Sequence, residues 1–256
     1  MYDVIMVPGT SEMHAADHRP IGMLKKLSDL LPKDKFDCWA LDYPASYGVI
    51  PFPLSLSFDK SVRVGVDALV ARIRATSRLV ILVGFSQGSS VISVLLEEIA
   101  AGLHQDLEIA GVMLIANPMR APGHSVDPAC EGWGVSGEHG PWPEGIPVWE
   151  IAHPNDMICC LSGGSIIRTF GDLSSSFSIV DPVAWAVNVG TKISQRSLQA
   201  WWNIPERGRV KQASIDFARY PFWHLIYASN SQPFPGTDKS YIHKAAGILI
   251  WKFGRE

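Results

Sequence analysis

The sequence contains little charge, few cysteines and no long apolar run. Asp, Glu, Lys and Arg make up 18% of its 256 residues, and the formal net charge is -3. Because Lys and Arg form no dense stripe, a nucleic acid is excluded as the main partner. No apolar stretch approaches the roughly 20 residues that a membrane-spanning helix needs, so no transmembrane segment is predicted.

The four cysteines fit no zinc-binding spacing. We interpret Cys38, Cys130, Cys159 and Cys160 as buried free thiols, with a disulfide between Cys130 and Cys159 as the open alternative. Nothing in the sequence indicates a metal ion or an organic cofactor, so none is predicted.

The chain starts with a predicted strand, Tyr2 to Val7, and not with a basic segment followed by an apolar one. We therefore expect no secretion signal. A protein of this kind would be made in a cytoplasm and would need another agent for its release.

The most informative stretch lies in the first half of the chain. An apolar run from Leu79 to Val83 leads into Gly84-Phe-Ser-Gln-Gly88, and an apolar-periodic helix follows. Strand, G-x-S-x-G turn and helix together predict a nucleophile elbow, in which the turn exposes the Ser86 hydroxyl at the end of the strand. The glycines fit because the strained turn leaves no room for side chains two residues away on either side.

Short apolar runs alternate with predicted helices over the first 160 residues. This alternation predicts a parallel sheet with helices on both faces, and ligands bind such sheets at the carboxyl ends of the strands. Thr10, Ser86, Asn117 and Asp156 should therefore meet at one edge. The predicted strands are Val4 to Val7, Phe36 to Leu41, Leu79 to Val83, Gly111 to Ala116 and Val148 to Ala152.

The alternation ends after residue 160, which predicts a helical insertion over residues 161–225. Its predicted helices lie at Ile166 to Phe170, Val183 to Ile193 and Leu198 to Trp202, and a final helix runs from Ser240 to Lys252. The tryptophans of this region either fill a second small core or line a groove for an apolar or sugar substrate; they are Trp185, Trp201, Trp202 and Trp223.

A nucleophilic serine needs a histidine base and a carboxylate that orients it. On sheets of this type the chain order is serine, acid, histidine. Asp156 follows a late strand, and His243 follows a flexible loop at the start of the last helix, so we predict Ser86, Asp156 and His243 as the triad. The rival acids and bases are Asp172, Asp181, His139, His153 and His224, of which His224 is interpreted as a packed histidine in an aromatic run.

Several segments resemble the Lysin B family, the mycobacteriophage endolysin esterases related to cutinases. The resemblance covers most of the chain, and its most specific part is Asn117-Pro-Met-Arg120. The other segments are Val7-Pro-Gly-Thr10, Asp42-Tyr-Pro44, Gly84-Phe-Ser-Gln-Gly88, Ala152-His-Pro-Asn-Asp-Met157 and Asp238-Lys-Ser-Tyr-Ile-His243.

The resemblance implies an α/β-hydrolase fold of cutinase-like type, with a core at residues 1–160 that residues 226–256 complete with the catalytic histidine. It implies Ser86 as nucleophile, Asp156 as acid and His243 as base, with the backbone N–H groups of Gln87 and of Thr10 or Ser11 as oxyanion hole. The implied reaction is hydrolysis of the ester between mycolic acids and arabinogalactan in the mycobacterial cell envelope. We expect a monomer that is made in the infected host and acts on the envelope once lysis begins.

The sequence also departs from that family. The first loop reads Pro8-Gly-Thr-Ser11 where the family commonly has His-Gly-Thr-Gly, which leaves the second oxyanion donor open between Thr10 and Ser11. No separate peptidoglycan-binding module is recognised, so the catalytic domain is expected to attach to the wall. Asp156-Met-Ile-Cys159 is close to the Asp-x-Val-Cys of cutinases, so a secreted cutinase or lipase acting on free lipid esters is the alternative. A non-catalytic wall-binding hydrolase fold is the rival outside the enzymes.

Overall fold

The structure, a computed structural model, describes residues 1–12, 15–200 and 207–254. In this part of the chain five β-strands and seven α-helices form. The strands are β1 (Tyr2–Val7), β2 (Phe36–Ala40), β3 (Val80–Phe85), β4 (Ile109–Ile115) and β5 (Val148–Ile151). The helices are α1 (Gly22–Ser28), α2 (Phe58–Arg74), α3 (Gln87–Ala100), α4 (Ile166–Ser174), α5 (Pro182–Ser194), α6 (Arg207–Leu225) and α7 (Tyr241–Phe253).

The five strands form one parallel sheet in the order β2-β1-β3-β4-β5. The chain first moves outward from β1 to β2 and then returns to the other side of β1 for β3. The strand order therefore reverses between β1 and β3, and a crevice opens there at the carboxyl ends of the strands. The predicted parallel sheet with helices on its faces is confirmed.

The sheet is buried on both faces, and successive side chains of a strand point to opposite sides. Val4 and Met6 of β1 belong to the core that also holds residues of α1 and α7. Ile5 and Val7 belong to the core shared with α2 and α3. All four side chains are fully buried, so β1 contributes to two cores. A sheet covered in this way requires the near-continuous apolar runs that the sequence shows.

The region after β5 is helical in its described part and holds α4, α5 and α6. The structure places a turn, not a helix, at residues 198–200, while Trp201 and Trp202 lie outside the described residues. The division into a core and an insertion stays a prediction. Among the described helices, none combines the length and the apolar character needed to cross a membrane.

Helix α6 was not predicted from the sequence, although its 19 residues make it the longest in the described part. Pro221 lies inside it and lacks the backbone N–H that donates the intrahelical hydrogen bond, so the sequence predicts that a helix ends there. The chain nevertheless continues to Leu225 and then forms a 3₁₀ turn over Ile226–Ala228. This path matters because it carries His224 to the sheet edge.

Candidate active site

Ser86 lies in the sharp turn between β3 and α3, at the N-cap of the helix. Its backbone has φ 53° and ψ -121°, a left-handed conformation that costs a non-glycine residue energy. The amide of Ser86 donates a hydrogen bond to the carbonyl of Ile115 over 2.9 Å, which ties the turn to the end of β4. The side chain is only 9% exposed, so a substrate carbonyl must enter a confined space.

The two glycines of the turn allow its close packing. A Cβ placed on Gly84 would lie 2.7 Å from the backbone of Ser89, and one on Gly88 would lie 1.9 Å from the carbonyl oxygen of Val7. Real Cβ atoms do not approach backbone so closely. Gly88 therefore lets the start of α3 lie directly on the end of β1, beside the crevice.

A chain of hydrogen bonds runs from Ser86 through a histidine to Asp156. The Oγ of Ser86 lies 2.8 Å from Nε2 of His224, and Nδ1 of the same ring lies 2.9 Å from Oδ2 of Asp156. Asp156 follows β5, and Ser86 follows β3, so the sheet edge presents both as the strand pattern predicts. This arrangement has the connectivity of a serine-hydrolase triad.

The prediction of His243 as the histidine of this group is wrong. His243 lies in the first turn of α7, where its Nδ1 is 2.8 Å from the hydroxyl of Ser240, the N-cap residue of that helix. It lines a surface cleft together with Lys244 and Trp251. The histidine position is filled by His224 at the end of α6, so the histidine comes from the predicted insertion and not from residues 226–256.

Aromatic side chains pack against the His224 ring and orient it towards Ser86. Phe85, next to Ser86, stacks on the imidazole with ring centres 5.2 Å apart, and Tyr220 lies one helical turn before it at 5.1 Å. The signal that could have identified His224 is its position after Asp156 in the chain, which His243 shares. The order alone therefore could not decide between the two histidines.

Asp156 is fully buried and receives several hydrogen bonds. The hydroxyl of Tyr227 donates to Oδ2 over 2.8 Å, and the amide of Ile158 donates to Oδ1 over 3.0 Å. Burial by itself raises the pKa of this carboxyl, but the neighbouring His224, its hydrogen bond and the donors from Ile158 and Tyr227 together lower the pKa below its ordinary value. A carboxylate can only accept, so Nδ1 of His224 carries a proton and Nε2 is free to accept the serine proton.

Tyr227 anchors the acid from a buried position. Burial, followed by the charge of Asp156, raises the pKa of its hydroxyl well above the ordinary value, so the hydroxyl remains a donor. Its oxygen accepts the amide proton of His153 over 3.0 Å. Tyr227 thus connects the loop after β5 to the residues that follow α6, and this connection fixes the position of Asp156 relative to His224.

We expect Tyr227→Phe to destabilise the protein by about 1.5–3 kcal/mol at neutral pH, as for other hydrogen bonds to buried charge. The lowered pKa of Asp156 adds stability above the ordinary aspartate value of 3.8, and this stability is lost as the pH falls through the folded value. Without the Tyr227 donor the folded pKa rises, so the penalty should shrink on acidification. Urea unfolding of parent and variant between about pH 3 and pH 7 measures this.

The control for this pH dependence is Tyr47→Phe, which removes a hydroxyl that lies 2.7 Å from the hydroxyl of Ser174 and not from a carboxylate. Its loss of unfolding free energy should vary much less with pH. A penalty in Tyr227→Phe that is constant over the range would contradict the role given to this hydroxyl.

The oxyanion-hole prediction is corrected for one residue. The amide of Ser11 donates to the carbonyl of Ala45 over 2.8 Å in a left-handed turn with φ 64°, so it is already used. The loop itself lies beside the nucleophile, since a Cβ on Gly9 would be 3.2 Å from Cβ of Ser86. Gln87 is the first residue of α3, where backbone N–H groups have no acceptor within the helix. Gln87 and Thr10 thus stay the predicted donors.

The side chain of Gln87 stabilises the wall of the crevice. Its Nε2 donates to the carbonyl of Ser46 over 2.8 Å, and its Oε1 accepts from the hydroxyl of Ser61. The hydroxyl of Tyr43 donates to the carbonyl of Pro8 over 2.6 Å and lies 3.3 Å from Oε1 of Gln87. The loops after β1 and β2 are therefore joined to the first residue of α3, close to the proposed N–H donors.

The rival residues are engaged elsewhere. Asp172 accepts from the amide and side chain of Gln199, and Asp181 caps α5 through the amide of Ala184. His153 is buried against Trp223 at 4.9 Å, and its Nδ1 accepts the amide of Asn155. His139 stacks on Trp142 in the loop before β5. None of these four has a hydrogen bond to Ser86 in the described structure.

The structure does not decide between the two predicted roles of the tryptophans. Trp185 is half-buried, donates its ring N–H to the carbonyl of Leu173 over 2.9 Å and packs against Phe177, but it belongs to none of the buried apolar clusters in the described part of the chain. Trp223 lines a surface cleft that includes Met157 and Arg219. Trp201 and Trp202 lie outside the described residues.

All four cysteines are free thiols, and the alternative Cys130–Cys159 disulfide does not form; Cys130 and Cys159 are buried as predicted, whereas Cys38 and Cys160 are only half-buried. The sulfur of Cys159 lies 3.5 Å from Oδ2 of Asp156 and 3.2 Å from the hydroxyl of Tyr227. Burial raises the pKa of this thiol, so it stays protonated beside the carboxylate. Cys159 is a further polar neighbour of the acid that the sequence did not reveal.

The Asn117-Pro-Met-Arg120 segment supports the site from below. Arg120 is fully buried and donates to the carbonyl of Cys159 over 2.7 Å, to that of Ala121 over 2.9 Å and to that of Gly132. Asn117 donates to the buried Oε1 of Glu150 over 2.7 Å. In the described part of the chain no hydrogen bond joins Asn117 or Arg120 to Ser86 or His224, and Arg120 reaches the loop that carries Asp156 through the carbonyl of Cys159.

Exposed apolar side chains lie beside the first loop. Phe52 and Leu54 are exposed by 63% and 75%, and they line a cavity of about 340 Å³ together with Pro8 and Ser11 of the first loop. The loop that carries them abuts α4, because the hydroxyl of Tyr47 lies 2.7 Å from that of Ser174.

Known proteins resemble the chain in fold. Lysin B from Mycobacteriophage D29 is 17% identical, with 97% of this chain and 98% of that chain covered and a TM-score of 0.58. A cutinase-like protein from Cryptococcus sp. is 20% identical over 62% of this chain and 78% of that chain, with a TM-score of 0.45. The catalytic core of acetyl xylan esterase from Trichoderma reesei is 16% identical over 74% and 97%, with a TM-score of 0.48.

Sequence comparisons add one partial match. The family described as PE-PPE domain matches residues 36–125, a range that includes the elbow. No curated protein matches the chain. Together with the parallel sheet and the elbow after β3, the match to the phage lysin B structure over nearly its full length confirms that the chain has the predicted α/β-hydrolase fold.

Proposed function

We propose that the protein is a serine esterase, and the observation that carries this is the buried Ser86–His224–Asp156 chain at the switch point of the sheet. In the first step Nε2 of His224 accepts the Ser86 proton as Oγ attacks the ester carbonyl carbon. The imidazolium then gives this proton to the leaving alcohol. Water, deprotonated by His224, cleaves the acyl-enzyme and regenerates Ser86.

The negative charge of the tetrahedral intermediate would be held by the N–H groups of Gln87 and Thr10. Gln87 opens α3, so the positive end of the helix dipole adds to its hydrogen bond. Asp156 stays a carboxylate throughout and stabilises the imidazolium of His224. No step of this proposed mechanism uses a cofactor.

The proposed substrate is a lipid ester, specifically the ester that links mycolic acids to arabinogalactan in the mycobacterial envelope. The cavity that Phe52 and Leu54 line begins at Pro8, and the next residue, Gly9, packs against Ser86; this neighbourhood supports an acyl chain as part of the substrate. The fold match over nearly the full length of phage lysin B supports the wall ester over a free lipid. The protein would be made in the infected host and reach this ester once lysis begins.

The test is release of free mycolic acid from purified mycolyl-arabinogalactan, with Ser86→Ala as the inactive control. We expect release by the parent and none by the variant. A parent that hydrolyses p-nitrophenyl esters and triglycerides but releases no mycolic acid would support the cutinase or lipase alternative. A parent that is not labelled by a fluorophosphonate probe would show that the fold serves as a wall-binding module.

A further inference from the structure

A second cluster of reactive side chains lies apart from Ser86, where two loops meet β5. His124, His139 and Glu150 each offer one atom that can bind a metal ion, and these three atoms lie within 4.8 Å of one another. They come from the loop after Arg120, from the loop before β5 and from β5 itself. Two imidazoles and a carboxylate are a ligand set that zinc accepts.

One carboxylate oxygen of Glu150 is buried and has no hydrogen-bond partner among the described residues. Its side chain is buried, with 5% of the residue exposed, and its Oε1 accepts from Asn117 over 2.7 Å. Its Oε2 is buried and has no hydrogen-bond partner. A buried carboxylate oxygen without a donor is costly, which indicates that a cation or a donor from outside the chain belongs there.

His139 also has a buried side-chain atom, Nε2, without a hydrogen-bond partner among the described residues. Its Nδ1 lies 2.7 Å from the carbonyl of Gly140, which can only accept, so Nδ1 carries the proton and Nε2 carries the lone pair. Nε2 is buried and has no partner either. The ring is held by stacking on Trp142 at 3.4 Å, nearly parallel. A histidine whose second nitrogen donates to a backbone carbonyl is the usual form of a metal ligand.

His124 completes the group from the exposed side, with its ring centre 5.5 Å from that of His139. Ligand atoms 2.0–2.2 Å from a tetrahedral Zn²⁺ lie roughly 3.3–3.6 Å apart, so the widest pair needs to close by at most about 1.5 Å. An exposed loop histidine can make this movement.

We infer that His124, His139 and Glu150 form a binding site for a divalent transition-metal ion, with Zn²⁺ as the expected occupant and water as the fourth ligand. Asn117 orients the carboxylate and Gly140 orients His139, so both outer contacts are in place. The ion would fasten the two loops to β5, the strand that leads to Asp156. It takes no part in the proposed hydrolysis.

The test is binding of Zn²⁺ to the chelator-treated full chain, measured by calorimetry and elemental analysis. We expect one equivalent in the parent, a rise of the thermal midpoint with Zn²⁺ concentration, and visible d–d bands when Co²⁺ replaces Zn²⁺. The exposed His124→Asn and the near-isosteric Glu150→Gln should each weaken binding by more than about 100-fold, beyond what outer contacts cost.

The matched control is His104→Asn, whose side chain pairs with Glu98 outside the cluster. This variant and Ser86→Ala should bind Zn²⁺ as tightly as the parent, which separates the site from the proposed esterase. Absence of stoichiometric binding in the parent, or equal affinity in parent, His124→Asn and Glu150→Gln, would overturn the inference. His124→Asn decides the matter even if Glu150→Gln does not fold.

Discussion

Replacement of His224 by alanine should lower kcat for short p-nitrophenyl esters by about 10⁴- to 10⁶-fold, the loss that serine hydrolases show when the base is removed. The reason is geometric. His224 alone joins the Oγ of Ser86, at 2.8 Å, to the carboxylate of Asp156, at 2.9 Å. Among the described residues, no other side chain is hydrogen-bonded to the Ser86 hydroxyl, so without His224 no base is in place to accept its proton.

The control is His243→Ala, which removes the same residue type from the first turn of α7. His243 bonds to Ser240 and lines a surface cleft, so kcat should stay close to that of the parent. Steady-state kinetics and thermal unfolding of both variants make the comparison. An inactive, folded His243→Ala beside an active His224→Ala would reverse the assignment made from the structure.

The sheet and the acid were accessible from the sequence for physical reasons. Strands buried on both faces must be apolar throughout, so Val4 to Val7 and Leu79 to Val83 were visible as runs. A strained turn between strand and helix demands small residues, so Gly84 and Gly88 identified the elbow. Asp156 followed because polar residues at the ends of parallel strands meet at one edge.

The histidine and the oxyanion loop were not accessible in the same way. His224 and His243 both follow Asp156, so their order in the chain does not distinguish them. Helix α6 places His224 next to Ser86, but Pro221 within this helix kept the helix from being predicted. The amide of Ser11 donates a hydrogen bond to the carbonyl of Ala45. This contact joins two loops that are distant in the sequence, so no local sequence pattern predicts it. The ligands of the proposed metal site stand at positions 124, 139 and 150, too far apart for a spacing motif.

Arg120→Ala should destabilise the fold by about 3–5 kcal/mol, a large part of the roughly 5–15 kcal/mol available to a protein of this kind. The buried guanidinium donates to the carbonyl of the neighbouring Ala121, to that of Gly132 further along the same loop, and to that of Cys159 in the loop after β5. Truncation leaves these carbonyls without donors and opens a cavity among them. Urea unfolding measures the loss.

The same substitution should also reduce kcat, because Cys159 belongs to the turn that holds Asp156. The amide of Cys160 donates to the carbonyl of Asp156 over 2.8 Å, so a shift of the turn moves the carboxylate away from His224. A displacement of about 1 Å in such a site can cost roughly 100-fold in rate. Arg120→Lys keeps the charge with fewer directed donors and should fall between parent and Arg120→Ala in both measurements.

The surface control is Arg19→Ala, whose side chain is 78% exposed and pairs with Asp17. Its effect on the unfolding free energy should stay within about 0.5 kcal/mol, with kcat unchanged. Parent-like stability of Arg120→Ala would show that the three carbonyls find other donors. Lost stability with unchanged kcat in the folded fraction would instead separate Arg120 from the position of Asp156, since the acid would then keep its place through Tyr227 and Ile158 alone.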